Sequence, residues 1–293
     1  MPSRLLPLCY HSRPEVARGP DLKSFIRWAG SKRQTLTKLR PLCTGPYSRY
    51  IEPFAGSASL FFDLKPLSAV LGDINSELIT TMRELQRDPH LVLECLRRLP
   101  RGKSHYYRIR AMPISAYSPV EQAARFIYLN RYCFNGLYRT NRKGKFNVPY
   151  GPPKSAAKID EATIVAAAHL LRRATLLNSD FEATLEHAQR GDLAYLDPPY
   201  IVAKRRIFAD YGADSFQQPD LARLGKVLTR LDSSGVKFVI TYADSSEARK
   251  LFSAWLTSRI WTKRNISGFV ANRRGAYEIL ATNVNYDFDK HTD

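Results

Sequence analysis

Apolar residues along this chain alternate between short runs of strand length and stretches with helical spacing. Strand-like runs end near Glu52 and cover Ala69–Leu71, Ala174–Asn178, Leu193–Leu196 and Lys237–Tyr242. Between them, apolar positions three and four apart predict helices over about Ser57–Leu64, Asn75–Gln86, Val120–Tyr132, Asp160–Arg172, Glu182–His187, Pro219–Asp232 and Ser246–Trp255. Nearer the N-terminus, Gly30 gives freedom for a tight entry and Ser31 is placed to cap a helix over Arg33–Leu39. Arg259–Ile266 and Tyr277–Asn283 read as a terminal antiparallel pair around a basic loop, Gly268–Gly275. Strands alternating with helices predict an α/β fold with a mostly parallel sheet. No internal repeat is visible.

The run Leu193–Leu196 ends at Asp197-Pro198-Pro199-Tyr200. Two prolines cannot continue a ladder, so the strand must stop there. A carboxylate, a carbonyl with no N–H beside it and an aromatic ring are thereby held at the carboxyl end of a strand. Open α/β sheets bind their ligands at that edge.

Upstream, the strand ending at Glu52 leads into Pro53-Phe54-Ala55-Gly56-Ser57 and a helix. A strand, a small-residue loop and a helix let a ligand approach the backbone and aim helix N–H groups at it. There is one glycine, not the three of the dinucleotide fingerprint. The next strand ends at Gly72-Asp73, where an acid is placed to bind ribose hydroxyls, the reading the preceding loop favours over a plain cap of the helix that follows. Lys32, at a predicted helix N-terminus, is slightly disfavoured by the dipole. It is either a solvated surface lysine or one that meets an anion such as a ligand carboxylate.

Charge changes the picture. The chain has 293 residues, enough for one α/β domain with an insertion, and 45 Lys and Arg against 27 Asp and Glu give it a net charge of +18. Such a balance favours a polyanion, nucleic acid before an anionic membrane surface. No apolar run approaches the length of a bilayer span. Met1–Pro20 reads as a basic, disordered leader rather than a signal peptide, because Pro7 interrupts its apolar stretch. Cys9, Cys43, Cys95 and Cys133 are widely spaced with no paired histidines, which argues against a zinc site and for a reducing cytoplasm.

The charge is concentrated. Residues 97–158 hold 14 Lys and Arg against the single acid Glu121, so 13 of the net +18 lies there, with ten Tyr and Phe interleaved. A solvated charged face mixes signs; basic residues with aromatics suit phosphate contact and base stacking. Within this segment Arg142-Lys143-Gly144 reads as a hairpin tip, and Asn135, Arg139 and Asn141 are side-chain types that read base edges.

The glycine loop and Asp73 alone suit NAD, FAD or S-adenosylmethionine alike. The tetrapeptide separates them. An exocyclic amine on a purine is a poor nucleophile, its lone pair being delocalised into the ring. Asp197 and the Pro198 carbonyl can each accept one of its N–H groups and stabilise the charge that develops on methylation. Tyr200 can stack on a base that has left the duplex.

In order along the chain stand Arg27-Trp28-Ala29-Gly30-Ser31-Lys32, Glu52-Pro53-Phe54-Ala55-Gly56-Ser57, Gly72-Asp73-Ile74-Asn75, Asn130–Arg139, Phe146–Gly151 and Asp197-Pro198-Pro199-Tyr200. This succession resembles the Dam-like, alpha-type adenine-specific DNA methyltransferases, over nearly everything from Phe25 to Asn283. The resemblance implies a Rossmann-like methyltransferase sheet with a C-terminal antiparallel hairpin. Residues 21–86 and 155–293 would form the S-adenosylmethionine-binding catalytic domain, and 87–154 an inserted, mainly helical target-recognition domain with a β-hairpin. It implies methyl transfer from S-adenosylmethionine to the 6-amino group of adenine in double-stranded DNA, with S-adenosylhomocysteine as product and no metal.

By position, the resemblance makes Trp28, Lys32, Asp73 and Asp197 cofactor contacts, with Glu52, Pro53, Phe54 and Gly56 on the methionine side and Asp180 and Phe181 flanking the cofactor's adenine. Phe134 matches a position that holds the strands apart. Leu137, Arg139 and Pro149 match base-reading positions, which is compatible with GATC, and Arg27 a DNA contact. Arg131, Asn135 and Asn141 join them as DNA-facing candidates. Ser31 replaces a second glycine common in relatives, and Pro152-Pro153-Lys154 replaces a bulkier basic and aromatic pairing. The second departure leaves the target sequence open. A cytoplasmic, nucleoid-associated monomer is expected, with a cognate restriction endonuclease as a separate chain left open. The rival readings are a methyltransferase for RNA adenine, cytosine N4 or protein glutamine, and an inactive DNA-binding relative.

Overall fold

In a computed structural model the described residues are 22–141, 144–151, 160–200, 216–263 and 275–288. The expected leader, the hairpin tip at Arg142-Lys143, the stretch at 152–154 and most of the basic loop before Gly275 lie outside them.

Seven strands form one sheet in the order β3-β2-β1-β4-β5-β7-β6. They are β1 (Tyr50–Glu52), β2 (Ala69–Asp73), β3 (Ala174–Asn178), β4 (Leu193–Leu196), β5 (Lys237–Ala243), β6 (Leu256–Lys263) and β7 (Gly275–Thr282). The first five are parallel, and β7 runs antiparallel between β5 and β6. This is a Rossmann-like methyltransferase sheet with the C-terminal hairpin expected. The central pair β1 and β4 marks the reversal of strand order: β1 leads to β2 on one side and β4 to β5 on the other. Their carboxyl ends therefore flank a crevice.

The helices are α1 (Leu36–Cys43), α2 (Ser59–Leu64), α3 (Ser76–Arg87), α4 (Pro89–Arg98), α5 (Lys103–Ala111), α6 (Pro119–Tyr132), α7 (Glu161–Leu171), α8 (Phe181–Leu185), α9 (Gln218–Ser233) and α10 (Ser246–Leu251). One core, with Phe61, Phe62, Leu78, Met82, Leu171 and Tyr195, packs α1 to α7 on one sheet face. The other joins Leu221, Leu224 and Leu228 of α9 and Phe252, just past α10, to Leu196, Phe238 and Ile240. Buried residues of α6, among them Ala124, Phe126 and Ile127, belong to the first core, so the helices after α3 share one apolar interior with the sheet. No helix among the described residues is long and apolar enough to cross a membrane.

Three helix expectations need correction. Ser31 caps nothing; its hydroxyl bonds Ser59 Oγ at 2.8 Å and Ser57 Oγ at 3.2 Å. A short 3₁₀ turn, Lys32–Gln34, replaces the start of the expected helix, and α1 runs only from Leu36. The helix after the first loop starts at Ser59, not Ser57, because the chain turns through left-handed Gly56 (φ 46) and Ala58 (φ 48). The last helix ends at Leu251 rather than Trp255. There the Trp255 indole N–H donates to Asp232 (2.8 Å) and its ring packs edge-on against Phe238.

Candidate active site

Three neighbouring strands deliver acids to one edge: Glu52 from β1, Asp73 from β2 and Asp197 just past β4. Lys32 reaches in from the 3₁₀ turn, 7% exposed. Its Nζ lies 3.0 Å from Asp197 Oδ1, 3.1 Å from Glu278 Oε2 on β7 and 2.6 Å from the Tyr200 hydroxyl. The anion expected opposite Lys32 is thus a pair of the protein's own carboxylates, and the solvated reading is overturned.

Asp197 Oδ1 accepts a second bond, from the Thr241 hydroxyl at 2.9 Å. Thr241 has one proton and spends it there, so Tyr195 must be the donor in its 3.0 Å contact with Thr241 Oγ1. Oδ2 of Asp197 has no hydrogen-bond partner among the described residues. One carboxylate oxygen is fixed twice over and the other is left to accept.

Two acids share one ammonium here, and the electrostatics follow. Burial pushes the Asp197 carboxyl up to about 6, with Glu278 adding to the rise and Lys32 and Thr241 opposing it. Burial works against the Lys32 ammonium, yet Asp197 and Glu278 outweigh it and its pKa lies above the ordinary lysine value. Burial, with the charges of Asp197 and Glu278, raises the Tyr200 phenol, which stays neutral.

The loop after β1 is shaped by a tryptophan. A Cβ on Gly56 would sit 2.8 Å from Trp28 Cδ1, so this position admits no side chain. Trp28 stacks in turn on Tyr138 (5.1 Å between rings) and touches Phe126. Asp73 supports the same loop: its Oδ2 accepts the Gly56 N–H and its Oδ1 the Asn75 N–H, each at 2.9 Å. The cap of α3 is Asn75, which accepts from Leu78 N–H, so Asp73 is not the cap. Burial raises the Asp73 carboxyl against those two backbone donors, and raises that of Glu52, which accepts from the Tyr50 hydroxyl at 2.9 Å.

Phe54 and Phe181 stack at 5.3 Å, with Phe216 edge-on to Phe54. Asp180 caps α8 through the Ala183 N–H and pairs with Arg223, whose guanidinium lies over Phe181. Phe54, Phe181 and Phe216 thus form one aromatic cluster joining the loop after β1 to the start of α8.

The recognition segment is tied to the same frame. The Asn130 amide clamps the backbone of Arg27, accepting from its N–H (2.9 Å) and donating to its carbonyl (2.7 Å). Cys133 pairs with Tyr150 and Thr140 with Phe146, and Phe134 N–H donates to the Pro149 carbonyl. Asn135, left-handed at φ 56, stands exposed beside Phe134, which is 39% exposed. Pro149 is exposed, and Arg131 and Leu137 are half-buried. Arg139 donates to Asn147 Oδ1 at 2.8 Å, which fixes its guanidinium. Asn141 accepts the Lys145 N–H with its side chain and the Gly144 N–H with its carbonyl, so it builds the turn.

Thr241, Glu278, Asn130 and Tyr138 were not anticipated from the sequence. The available signal was a charged or polar residue inside an apolar strand, as in Tyr277-Glu278-Ile279-Leu280 and Ile240-Thr241-Tyr242.

Sheet order, switch-point crevice and the carboxylate at the end of β4 define a Rossmann-like methyltransferase. The profile of the D12 class N6 adenine-specific DNA methyltransferases matches residues 28–266, and the chain belongs to that family. It is 35% identical over 272 residues to the type II methyltransferase M1.LlaDCHI of Lactococcus lactis subsp. cremoris, covering 90% of this chain and 96% of that protein. It is 31% identical to the type II methyltransferase M.MjaIII of Methanocaldococcus jannaschii, covering 90% of this chain and 99% of that one. With the DNA adenine methylase of Haemophilus influenzae the identity is 29%, over 89% of this chain and 94% of that protein. The chain is thus an adenine-specific DNA methyltransferase, and methyltransferases in general take S-adenosylmethionine as donor.

Proposed function

We propose that this enzyme binds S-adenosylmethionine across the carboxyl ends of β2, β1 and β4 and methylates an adenine flipped out of duplex DNA against Asp197-Pro198-Pro199-Tyr200. The carrying observation is the division of labour on Asp197, with Oδ1 tied to Lys32 and Thr241 and Oδ2 open. The donor set fits the cofactor. Gly56 leaves the backbone bare beside Trp28, and two carboxylates on one ammonium leave a buried net negative charge suited to a sulfonium. When bound, S-adenosylmethionine supplies the electrophilic methyl group. Asp197 Oδ2 and the Pro198 carbonyl each accept an N–H of the adenine amine, turning its lone pair toward that methyl. Tyr200, neutral and held through its hydroxyl, offers its ring to the base. Trp28, Lys32, Glu52, Pro53, Phe54, Gly56, Asp73, Asp180 and Phe181 line the donor's side on this reading.

Because the carboxylate is the working form, protonating Asp197 should stop the reaction. With its pKa at about 6, kcat should fall close to tenfold per pH unit below that value. A rate flat down to pH 5 would contradict the role.

Residues 87–154 act on this reading as the target-recognition domain of a monomer in the cytoplasm, beside the nucleoid. Arg27 and Arg131 meet phosphates, Phe134 parts the strands, Asn135, Leu137, Arg139 and Pro149 lie at the bases, and Asn141 shapes the turn on the DNA-facing side. The held guanidinium of Arg139 supports base reading, for which a fixed fork is required. Arg139→Ala should relax preference at one base pair by about 1–3 kcal/mol, seen as relative rates across single-substituted duplexes. Equal loss on every duplex would make Arg139 a phosphate contact. Sequencing DNA from cells expressing the enzyme, with methylated adenine read in context, tests GATC against related sites. Two relatives carry the type II name and one the DNA adenine methylase name, so a separate cognate endonuclease and a solitary enzyme both fit.

A further inference from the structure

Glu278 lies in none of the motifs. It sits in β7, opposite Ala243 of β5 and Ile260 of β6, and is 5% exposed. A carboxylate so deep in a sheet is costly unless paired. Its pairing is specific: Oε2 meets Lys32 Nζ at 3.1 Å, and Oε1 lies 3.4 Å from the Thr262 hydroxyl, two residues along the neighbouring strand. Glu278 projects to the same sheet face as Leu280, Val239 and Tyr195.

An ammonium has three N–H groups. On Lys32 one of these donates to the Tyr200 hydroxyl, and Nζ lies at ion-pair distance from Asp197 Oδ1 and from Glu278 Oε2; Glu278 Oε2 accepts no hydrogen bond among the described residues, so what it gives Lys32 is charge. Two of these three partners belong to the catalytic tetrapeptide. Without the opposing pull of Glu278, the ammonium would be drawn by the Asp197 carboxylate alone and would shift toward its second oxygen, Oδ2. That oxygen is the one the adenine amine needs.

We propose that Glu278 is a positioning residue for methyl transfer: its carboxylate, at ion-pair distance, holds the Lys32 ammonium beside Asp197 Oδ1 and Tyr200 and leaves Asp197 Oδ2 free to accept the amine. The inference rests on the assignment of Asp197 made above. A second consequence is electrostatic. The groups facing Asp197 are Lys32 from the 3₁₀ turn, Tyr200 beyond β4, Tyr195 on β4, Thr241 on β5 and Glu278 on β7, with Glu52 one strand over. Among them Glu278 and Glu52 are the acids, so neutralising Glu278 makes Asp197 easier to ionise.

Glu278→Gln keeps the shape and removes the charge. Its kcat should fall about ten- to a hundredfold, since small displacements of an acceptor carry losses of that order. KM for duplex should stay within about threefold, because Glu278 lies in β7 and not in the recognition segment. The acid limb of kcat should move to lower pH. Glu278→Asp keeps the charge with a shorter reach; it should hold the wild-type acid limb and recover part of the rate. A purely structural role would lower the melting temperature without moving the limb. Glu278→Gln at wild-type kcat, or a loss confined to KM with the limb unmoved, overturns the proposal. Should the glutamine variant not fold, Glu278→Asp decides: reduced kcat on an unmoved limb supports positioning, and wild-type kcat overturns it. Asp197→Asn in the same assay separates the premise: an active Asp197→Asn enzyme refutes the Asp197 assignment, whereas an inactive one beside an unaffected Glu278→Gln refutes this inference alone.

Discussion

Replacing Asp197 by alanine should lower the rate of adenine methylation by about a thousandfold or more while duplex binding changes little. One preorganised partner of a developing charge is worth about 10²–10³ in kcat, and alanine also removes the anchor of Lys32 and Thr241. Asparagine should fare no better. Both Lys32 and Thr241 are donors, so the amide would turn its oxygen toward them and its NH₂ toward the adenine amine. Donor would then face donor where Oδ2 now accepts. Methyl incorporation from labelled S-adenosylmethionine measures the loss, and a mobility shift on the same duplex measures binding. Near-normal incorporation by either variant would sink the assigned role of Asp197.

Much of this geometry was legible before any coordinates. The strands Ala174–Asn178 and Leu193–Leu196 lie where their apolar runs place them, and β4 stops ahead of Pro198-Pro199 as two prolines require. The mostly parallel sheet follows from strand–helix alternation and its antiparallel end from the C-terminal pair, whereas the strand order appears only in the structure. The hub on Lys32 was not legible as a whole, because Thr241 and Glu278 come from distant strands and each is unremarkable alone. A glutamate in β7 and a threonine in β5 acquire meaning only when the antiparallel hairpin lays β7 beside β5. Ser31 and Asp73 are further cases of tertiary partners overriding local rules. The hydroxyl went to Ser57 and Ser59 instead of capping a helix, and the carboxylate bridges to Gly56 while Asn75 does the capping.

In the recognition segment, residue type alone was ambiguous for the asparagines. Asn135 takes a left-handed turn conformation and stays exposed, whereas Asn141 spends its side chain on the turn that follows. Arg139 and Asn147 hold one another across that turn, a coupling invisible in the spacing. Asn130 lies at the end of α6 and reads as an ordinary helix residue. Its amide nevertheless locks the Arg27-Trp28 backbone to the segment that carries Phe134 to Tyr138.

Substituting Lys32 by methionine should be the most damaging single change to stability at this site. Methionine fills the stem's space but leaves Asp197 and Glu278 buried without their shared cation. Breaking a buried ion pair from one side costs about 3–5 kcal/mol, and here two acids lose the same partner. The loss should appear as a lowered urea midpoint with an unchanged slope. Methyl transfer should fall with it, since Asp197 Oδ1 and Tyr200 lose the donor they share. The pH signature opposes that of Glu278→Gln. Lys32 lowers the Asp197 pKa, so its removal should push the acid limb of any residual activity upward, whereas neutralising Glu278 draws it down. Opposite shifts from two residues on one carboxylate would tie both to Asp197. A stable Lys32→Met enzyme with its limb in place would show that the ammonium holds neither the fold nor the acceptor.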